Sequence, residues 1–140
     1  MLAPIIIFAF NRPEALKRLK KSLVSNYLYE ESKKFVFIDG PRNENDQNKI
    51  NAVVEIAQTI TSNVTVSTAN KGLGTSIITG VSSIFQKYEK AIILEDDLIC
   101  TPNFLSFMNQ ALDFYEKDDR IISVCGYGLK IKRPKNYVGD

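Results

Sequence analysis

Three adjacent carboxylates, Glu95-Asp96-Asp97, follow the apolar run Ala91-Ile92-Ile93-Leu94. Side by side they repel one another, which costs stability unless a cation compensates. A hard divalent cation takes carboxylate oxygen from one or two side chains, and phosphate and water complete its shell. The plainer alternative is an acidic turn ahead of a helix, since Thr101-Pro102 would start one nearby. Two arginines, Arg12 and Arg42, carry planar forks that match a phosphate, and either is equally an ordinary surface side chain. Lys71-Gly72-Leu73-Gly74 opens an apolar-periodic segment, where free backbone N–H groups at a helix start attract phosphate. It is neither a P-loop nor a dinucleotide fingerprint, so a plain turn fits it as well. The chain has no histidine. That excludes a Ser–His–Asp triad and histidine metal sites, and leaves carboxylates as the ordinary general bases.

These residues need elements to position them. Five short apolar runs, Ile5–Phe10, Phe35–Ile38, Val64–Ser67, Ala91–Leu94 and Ile121–Cys125, alternate with four segments of helical period. Ile5-Ile6-Ile7-Phe8 and Ala91-Ile92-Ile93-Leu94 are continuously apolar, as a strand covered on both faces requires. Pro13 suits a first helical turn ahead of Leu16, Leu19 and Leu23. Ile50, Val53, Val54 and Ala57 form a second stripe, and Ile77, Ile78, Val81, Ile84, Phe85 and Tyr88 a third. Thr101 caps a fourth helix with Pro102 at its first position, and Phe104, Leu105, Met108, Ala111, Leu112 and Tyr115 line one face. Strands alternating with helices imply right-handed βαβ crossovers and a parallel sheet. Ligands of such sheets bind at the carboxyl ends of the strands. Here those ends read Phe10-Asn11-Arg12, Asp39-Gly40-Pro41-Arg42, Asn70-Lys71-Gly72, Glu95-Asp96-Asp97 and Gly126-Tyr127-Gly128. Buried runs thus deliver polar residues and glycines to one edge.

A length of 140 residues, 44% hydrophobic and 24% charged, suits one globular domain with its own core. Cys100 and Cys125 do not make a disulfide framework. No apolar run approaches the roughly 18 residues of a membrane span, and the N-terminus lacks a basic signal-peptide region. A reducing, cytoplasmic setting is expected. The net charge of +2 is too small to argue for nucleic acid. Basic residues do cluster, at Lys17, Arg18, Lys20 and Lys21 and again at Lys130, Lys132, Arg133 and Lys135. They are solvated polar surface or, alternatively, a peripheral contact with the inner face of an anionic membrane.

Taken together, Ile7-Phe8-Ala9-Phe10-Asn11-Arg12-Pro13, Phe37-Ile38-Asp39-Gly40 and Ile92-Ile93-Leu94-Glu95-Asp96-Asp97-Leu98 resemble GT-A glycosyltransferases in content and order. The closest resemblance is to the N-acetylglucosaminyltransferase I family, and more loosely to family 2. It continues through Thr101-Pro102-Asn103-Phe104 to Ser123-Val124-Cys125-Gly126. The resemblance implies a GT-A, Rossmann-like three-layer α/β/α sandwich with a mostly parallel sheet. It implies a UDP-sugar donor, a Mn²⁺ or Mg²⁺ ion, a saccharide or lipid-linked acceptor, and transfer of a hexosyl or N-acetylhexosaminyl group. Asp39 matches the acid that meets uracil, whose N3–H a carboxylate can accept. Arg12, flanked by Phe10 and Asn11, matches the basic residue at the donor phosphates. Asp97 matches the direct metal ligand, with Glu95 and Asp96 near ribose, sugar or metal-bound water. Lys71 falls in a more variable donor-side stretch, with Asn70.

Residues 1–140 are then one nucleotide-sugar-binding domain, the N-terminal part of a longer GT-A catalytic domain, with the catalytic base expected outside this chain. A sugar-nucleotidyltransferase would place a glycine-rich basic loop after the first strand, where this chain has Asn11-Arg12-Pro13-Glu14. A receiver-type signalling domain would place acids there. A nucleotide-binding module without turnover is the remaining alternative.

Overall fold

The computed structural model describes residues 1–127. In chain order the elements are β1 (Ile5–Ala9), α1 (Pro13–Val24), β2 (Lys34–Ile38), α2 (Glu44–Gln58), β3 (Val64–Val66), α3 (Leu73–Phe85), β4 (Ile92–Glu95) and α4 (Phe104–Tyr115). The four strands pair in the order β3-β2-β1-β4, and every pairing is parallel.

The pleat of β1 explains the layers. Successive side chains of a strand point to opposite faces. Ile5, Ile7 and Ala9 join the cluster built on Leu16, Leu19 and Leu23 of α1, Ile50, Val53 and Ala57 of α2, and Leu105 and Met108 of α4. Ile6 and Phe8 face the other way, onto Ile84 of α3 with Phe35, Phe37, Ile77 and Val81 around it. All five β1 residues are buried, so the expectation of a doubly covered central strand holds. The result is an α/β/α sandwich with three helices on one face and α3 on the other.

Helix starts follow local chemistry, with one exception. Pro13 opens α1, and the Asn43 side chain accepts the Asp46 N–H at the start of α2. The expected Thr101 cap and Pro102 first position do not form. Thr101-Pro102-Asn103 makes a turn in which the Phe104 N–H reaches the Thr101 carbonyl at 3.0 Å, and α4 begins after it. The first-turn donor Leu105 N–H is instead met by Oδ1 of the buried Asn26 at 3.0 Å. A tertiary partner replaces the local cap.

Two further expectations are corrected. Ile93 of β4 is 43% exposed, although its run is continuously apolar. It shares the face of its neighbour Ile6, which the single helix α3 covers only in part. The run Ile121–Cys125 forms no strand. Ile122 is 97% exposed, and the segment instead turns at Asp118, whose carbonyl accepts the Ile121 N–H. Its β-branched residues have strand propensity, but propensity without a paired ladder makes no strand. The basic cluster Lys130, Lys132, Arg133 and Lys135 lies outside the described residues, as does Gly128.

This order creates a switch point. From β1 the chain moves outward through β2 and β3 on one side, then crosses beneath the sheet through α3 to reach β4 on the other side of β1. Ligands of open α/β sheets bind in the crevice where the order reverses, beyond the carboxyl ends of the strands.

Candidate functional site

A cleft of about 320 Å³ lies at those carboxyl ends. Phe10 and Arg12 reach it from β1, Asp39 and Arg42 from β2, Asn70 and Gly72 from the loop before α3, and Glu95 and Asp96 from β4. The strand ladders run directly into its acids. The Asp39 N–H donates to the Ala9 carbonyl at 3.1 Å, and the Asp96 N–H to the Phe8 carbonyl at 3.0 Å. Each acid is therefore fixed by the sheet itself.

On the β4 side, Arg12 bridges two carboxylates. Its Nη2 donates to Asp96 Oδ1 at 2.5 Å and its Nη1 to Asp97 Oδ2 at 3.0 Å. Asp96 is 1% exposed, and its second oxygen accepts the Phe10 N–H at 3.4 Å. Burial pushes the Asp96 carboxyl up, while the charge of Arg12 pulls it back down. Partial burial works against the Arg12 guanidinium, and Asp96 and Asp97 outweigh it, so its pKa rises. Arg12 thus supplies a cation to two of the three adjacent carboxylates, Asp96 and Asp97. Glu95 ends β4, half-buried at the cleft wall, with no ion-pair partner among the described residues.

On the β2 side, Asp39 is saturated. Its Oδ1 accepts the N–H groups of Gly40 and Lys71, both at 2.9 Å. Its Oδ2 accepts the Gly72 N–H at 2.9 Å and Nδ2 of Asn70 at 3.1 Å. Two carboxylate oxygens offer about four lone-pair sites, and all four are taken. A uracil N3–H would have to displace one of these bonds. Two glycines make the clamp possible. A Cβ on Gly40 would lie 2.4–2.6 Å from the Ala69 backbone, and Gly72 holds φ at 79° as α3 begins. Two of the amides that would greet a phosphate at this helix start thus already serve Asp39.

A third buried carboxylate, Asp46 in the first turn of α2, escapes sequence reasoning. It is 5% exposed. Asn11 Nδ2 donates to its Oδ1 at 2.6 Å. Arg42 grips it from Nε at 2.9 Å, Nη2 at 3.1 Å and the backbone N–H at 3.2 Å. Those charge-assisted bonds hold its carboxyl far below the ordinary range. Arg42 also lies over the Phe10 ring, 4.9 Å from its centroid. The available signal was the i, i+4 spacing of Arg42 and Asp46 across a helix start. The expected phosphate fork of Arg42 is closed on Asp46.

The sequence profile of glycosyl transferase family 2 matches residues 5–137. The chain belongs to this family. Of the two resemblances read from the sequence, the broader is the one shown. Among solved structures, S. aureus TarS is similar with a TM-score of 0.59 and 16% sequence identity, over 83% of this chain and 20% of that one. At that identity the likeness is one of fold, and it fits the GT-A, Rossmann-like sandwich described above. The chain spans a fifth of the length of that protein's chain.

In this family 2 chain, Phe10, Arg12, Asp39, Glu95 and Asp96 meet around one cleft, with Asn11 behind them on Asp46 and Asp97 at the rim on Arg12. Lys71 is the outlier. Its backbone holds Asp39, but the residue lines a neighbouring depression with Thr65 and Ser67 beside β3, not the cleft. The donor set at the acidic end is oxygen only, and no three acidic or thiol side chains gather as a metal cluster among the described residues. One half-exposed carboxylate, Asp97, is still a fitting partner for a hard cation whose remaining ligands are phosphate and water.

Proposed function

We propose that the chain is the donor-binding part of a metal-assisted glycosyltransferase that takes a UDP-sugar and passes its sugar to a saccharide or lipid-linked hydroxyl. The observation that carries this reading is Arg12, held between Asp96 and Asp97 at the switch point of the sheet. A diphosphate leaving group gathers negative charge as the glycosidic bond breaks. Arg12 is oriented there by Asp96 and Asp97, and a metal ion that takes Asp97 would release its Nη1 to the leaving oxygens. Asp97 would hold Mn²⁺ or Mg²⁺, which when bound acts as a Lewis acid on the diphosphate. Buried Asp96 orients Arg12, and Glu95 faces the ribose or sugar hydroxyls. Asp39 sets the loop at the donor's edge. Cytoplasmic work at the inner face of a membrane agrees with Lys17, Arg18, Lys20 and Lys21 on α1, and no helix among the described residues is long and apolar enough to cross a membrane.

The test is isothermal titration of the chain with UDP, CDP, ADP and GDP, with and without Mn²⁺. UDP-selective binding that requires the metal is expected, and Asp97→Asn should weaken it at least tenfold with the fold intact. Equal affinity of wild type and Asp97→Asn in Mn²⁺ would remove Asp97 from the metal. Failure of every nucleotide to bind would sink the donor reading.

A further inference from the structure

We propose that the groove between α1 and α2 is a docking surface for an anionic membrane, with Lys17, Lys20 and Lys21 on the lipid headgroups and Val24 and Ile56 as its apolar base. The inference rests on the membrane setting proposed above and gives it a surface; donor binding does not enter it.

The inner face of α1 is committed to the core through Leu16, Leu19 and Leu23. Lys17, Lys20, Lys21 and Val24 stand at i, i+3, i+4 and i+7, so they form a second stripe along the helix. Glu55 and Ile56 of α2, with Thr59 at its end, lie opposite, and the two rows border an open groove of about 600 Å³. Lys20 spans it, its Nζ donating to Thr59 Oγ1 at 2.8 Å. Val24, 50% exposed, and Ile56 are the only apolar residues of the lining, yet the surface shown is mostly carbon. Lysine stems cover apolar surface in this way while their heads keep to water. Three lysines here face one acid, Glu55. Lys17 and Lys21 are like charges four apart on a helix, an arrangement that costs stability. Glu14 meets Lys17 at 2.7 Å, but both side chains are well exposed and such a pair is weak. Lys21 and the adjacent Arg18 have no acidic partner among the described residues. The positive field is therefore local, in a chain whose net charge is only +2.

Shape and charge together select the occupant. A small ligand is held by burying most of its surface, which an open groove does not do. A docked amphipathic helix needs apolar anchors over several turns, and Val24 with Ile56 does not supply them. A bilayer needs neither. Anionic headgroups meet lysine heads already displayed, and a polybasic helix face with an apolar fringe holds to such a surface. The position agrees. Both helices begin at the cleft, after Arg12 and Asn43, and the groove lies in their middle and last turns. At about 1.5 Å of rise per residue, Val24 is roughly 17 Å along α1 from Pro13. Docking by the groove thus leaves the cleft uncovered and near the lipid.

The experiment is co-sedimentation of the chain with vesicles of phosphatidylcholine alone and of phosphatidylcholine mixed with phosphatidylglycerol, at low and at high salt. One variant combines Lys17→Gln, Lys20→Gln and Lys21→Gln, and another is Val24→Ser. A charge-matched control combines Lys33→Gln, Lys87→Gln and Lys117→Gln, all exposed and none in the groove. Circular dichroism melts report whether each variant folds. Wild type should bind the anionic vesicles alone and leave them as salt screens the headgroups. Each lysine at an anionic surface is worth about fivefold, so the groove triple should lose on the order of 100-fold and the control less than about threefold. Val24→Ser should bind several-fold more weakly at unchanged charge. The groove triple should keep its UDP affinity, which separates a lost surface from a lost structure. Wild-type vesicle binding by the groove triple, or an equal loss in the control, would overturn the groove in favour of net charge or of attachment elsewhere in the chain. Full binding by Val24→Ser would remove the apolar contact. Wild type that ignores anionic vesicles fails the membrane setting itself, whereas wild type that sediments with them but binds no UDP fails the donor reading alone.

Discussion

Arg12 is the residue on which the acidic end of the cleft depends. Asp96 is almost fully buried, and its ionised form is tolerable only because Arg12 lies 2.5 Å away. Replacement by Gln leaves that charge without a cation. Breaking a fully buried pair costs about 3–5 kcal/mol. Arg12 is half-exposed and screened by solvent, so about 1–2 kcal/mol is expected. The pH dependence has a definite sign. Burial already raises the Asp96 carboxyl above its unfolded value, and Arg12 opposes that rise. Without Arg12 it rises further. The folded variant then binds its proton at higher pH than the unfolded chain, so its stability falls as pH increases through the raised value. The deficit of Arg12→Gln should be full at neutral pH and shrink as pH falls towards the ordinary carboxylate range. Urea melts of both proteins from acid to neutral pH check this, and a deficit that grows on acidification would contradict it. The collection of Arg12, Asp96 and Asp97 was legible because each follows directly on a strand end. Asp46 and the four bonds of Asp39 were not. Apart from the local Gly40 and Arg42 bonds, they join residues 30 or more positions apart, such as Asn11 with Asp46 and Asp39 with Asn70, through loop geometry that has no period.

At the scale of elements, apolar spacing was the reliable signal where a segment packs on one face. Leu16, Leu19 and Leu23 are all fully buried, as their spacing demands. It misled where burial depends on what lies opposite. Ile78 and Phe85 belong to the α3 stripe by sequence, yet both are exposed, while the unremarkable Gly80 is buried. The packing supplies the reason. A Cβ at Gly80 would meet the Phe8 ring at 2.7 and 2.8 Å and Phe37 at 3.3 Å. Those two rings stack with centroids 5.5 Å apart, so neither can swing aside freely. Gly80→Ala therefore gains helix propensity of up to about 1 kcal/mol but overpacks the α3 interface, at about 1–3 kcal/mol. A net loss is expected. Gly74 in the first turn of the same helix is the control, since its Cβ would meet nothing within 4 Å. Gly74→Ala should be neutral or stabilising by up to about 1 kcal/mol. Chemical denaturation of the two single variants tests the contrast, and equal stabilities would mean that α3 does not sit as closely on β1 as described.

The whole molecule presents an organised cleft in which nearly every acid is already engaged. Asp96 and Asp97 are paired with Arg12, Asp39 is filled by four donors, and Asp46 lies beneath Arg42. These bonds make the cleft rigid, so on the proposed donor reading little ordering remains to be done when the ligand arrives. They also withdraw these carboxylates from proton transfer. A general base must come within about 2.6–3.2 Å of the attacking hydroxyl and be free to take its proton. Among the acids lining the cleft, only Glu95 lacks such a partner among the described residues, and it ends β4 on the donor side. The chain is accordingly expected to bind its donor while transferring little sugar. Radiolabelled transfer from UDP-sugars to mixed saccharide and lipid-linked acceptors measures this directly. Rates far below the order of 1 per second of an ordinary enzyme, alongside normal UDP binding, are the expected result. Turnover at an ordinary rate would mean that one of these acids is released when donor binds. Glu95→Gln then identifies which. Turnover abolished by that substitution with donor affinity unchanged would make Glu95 the base, whereas unchanged turnover would point to an Asp freed from its partner.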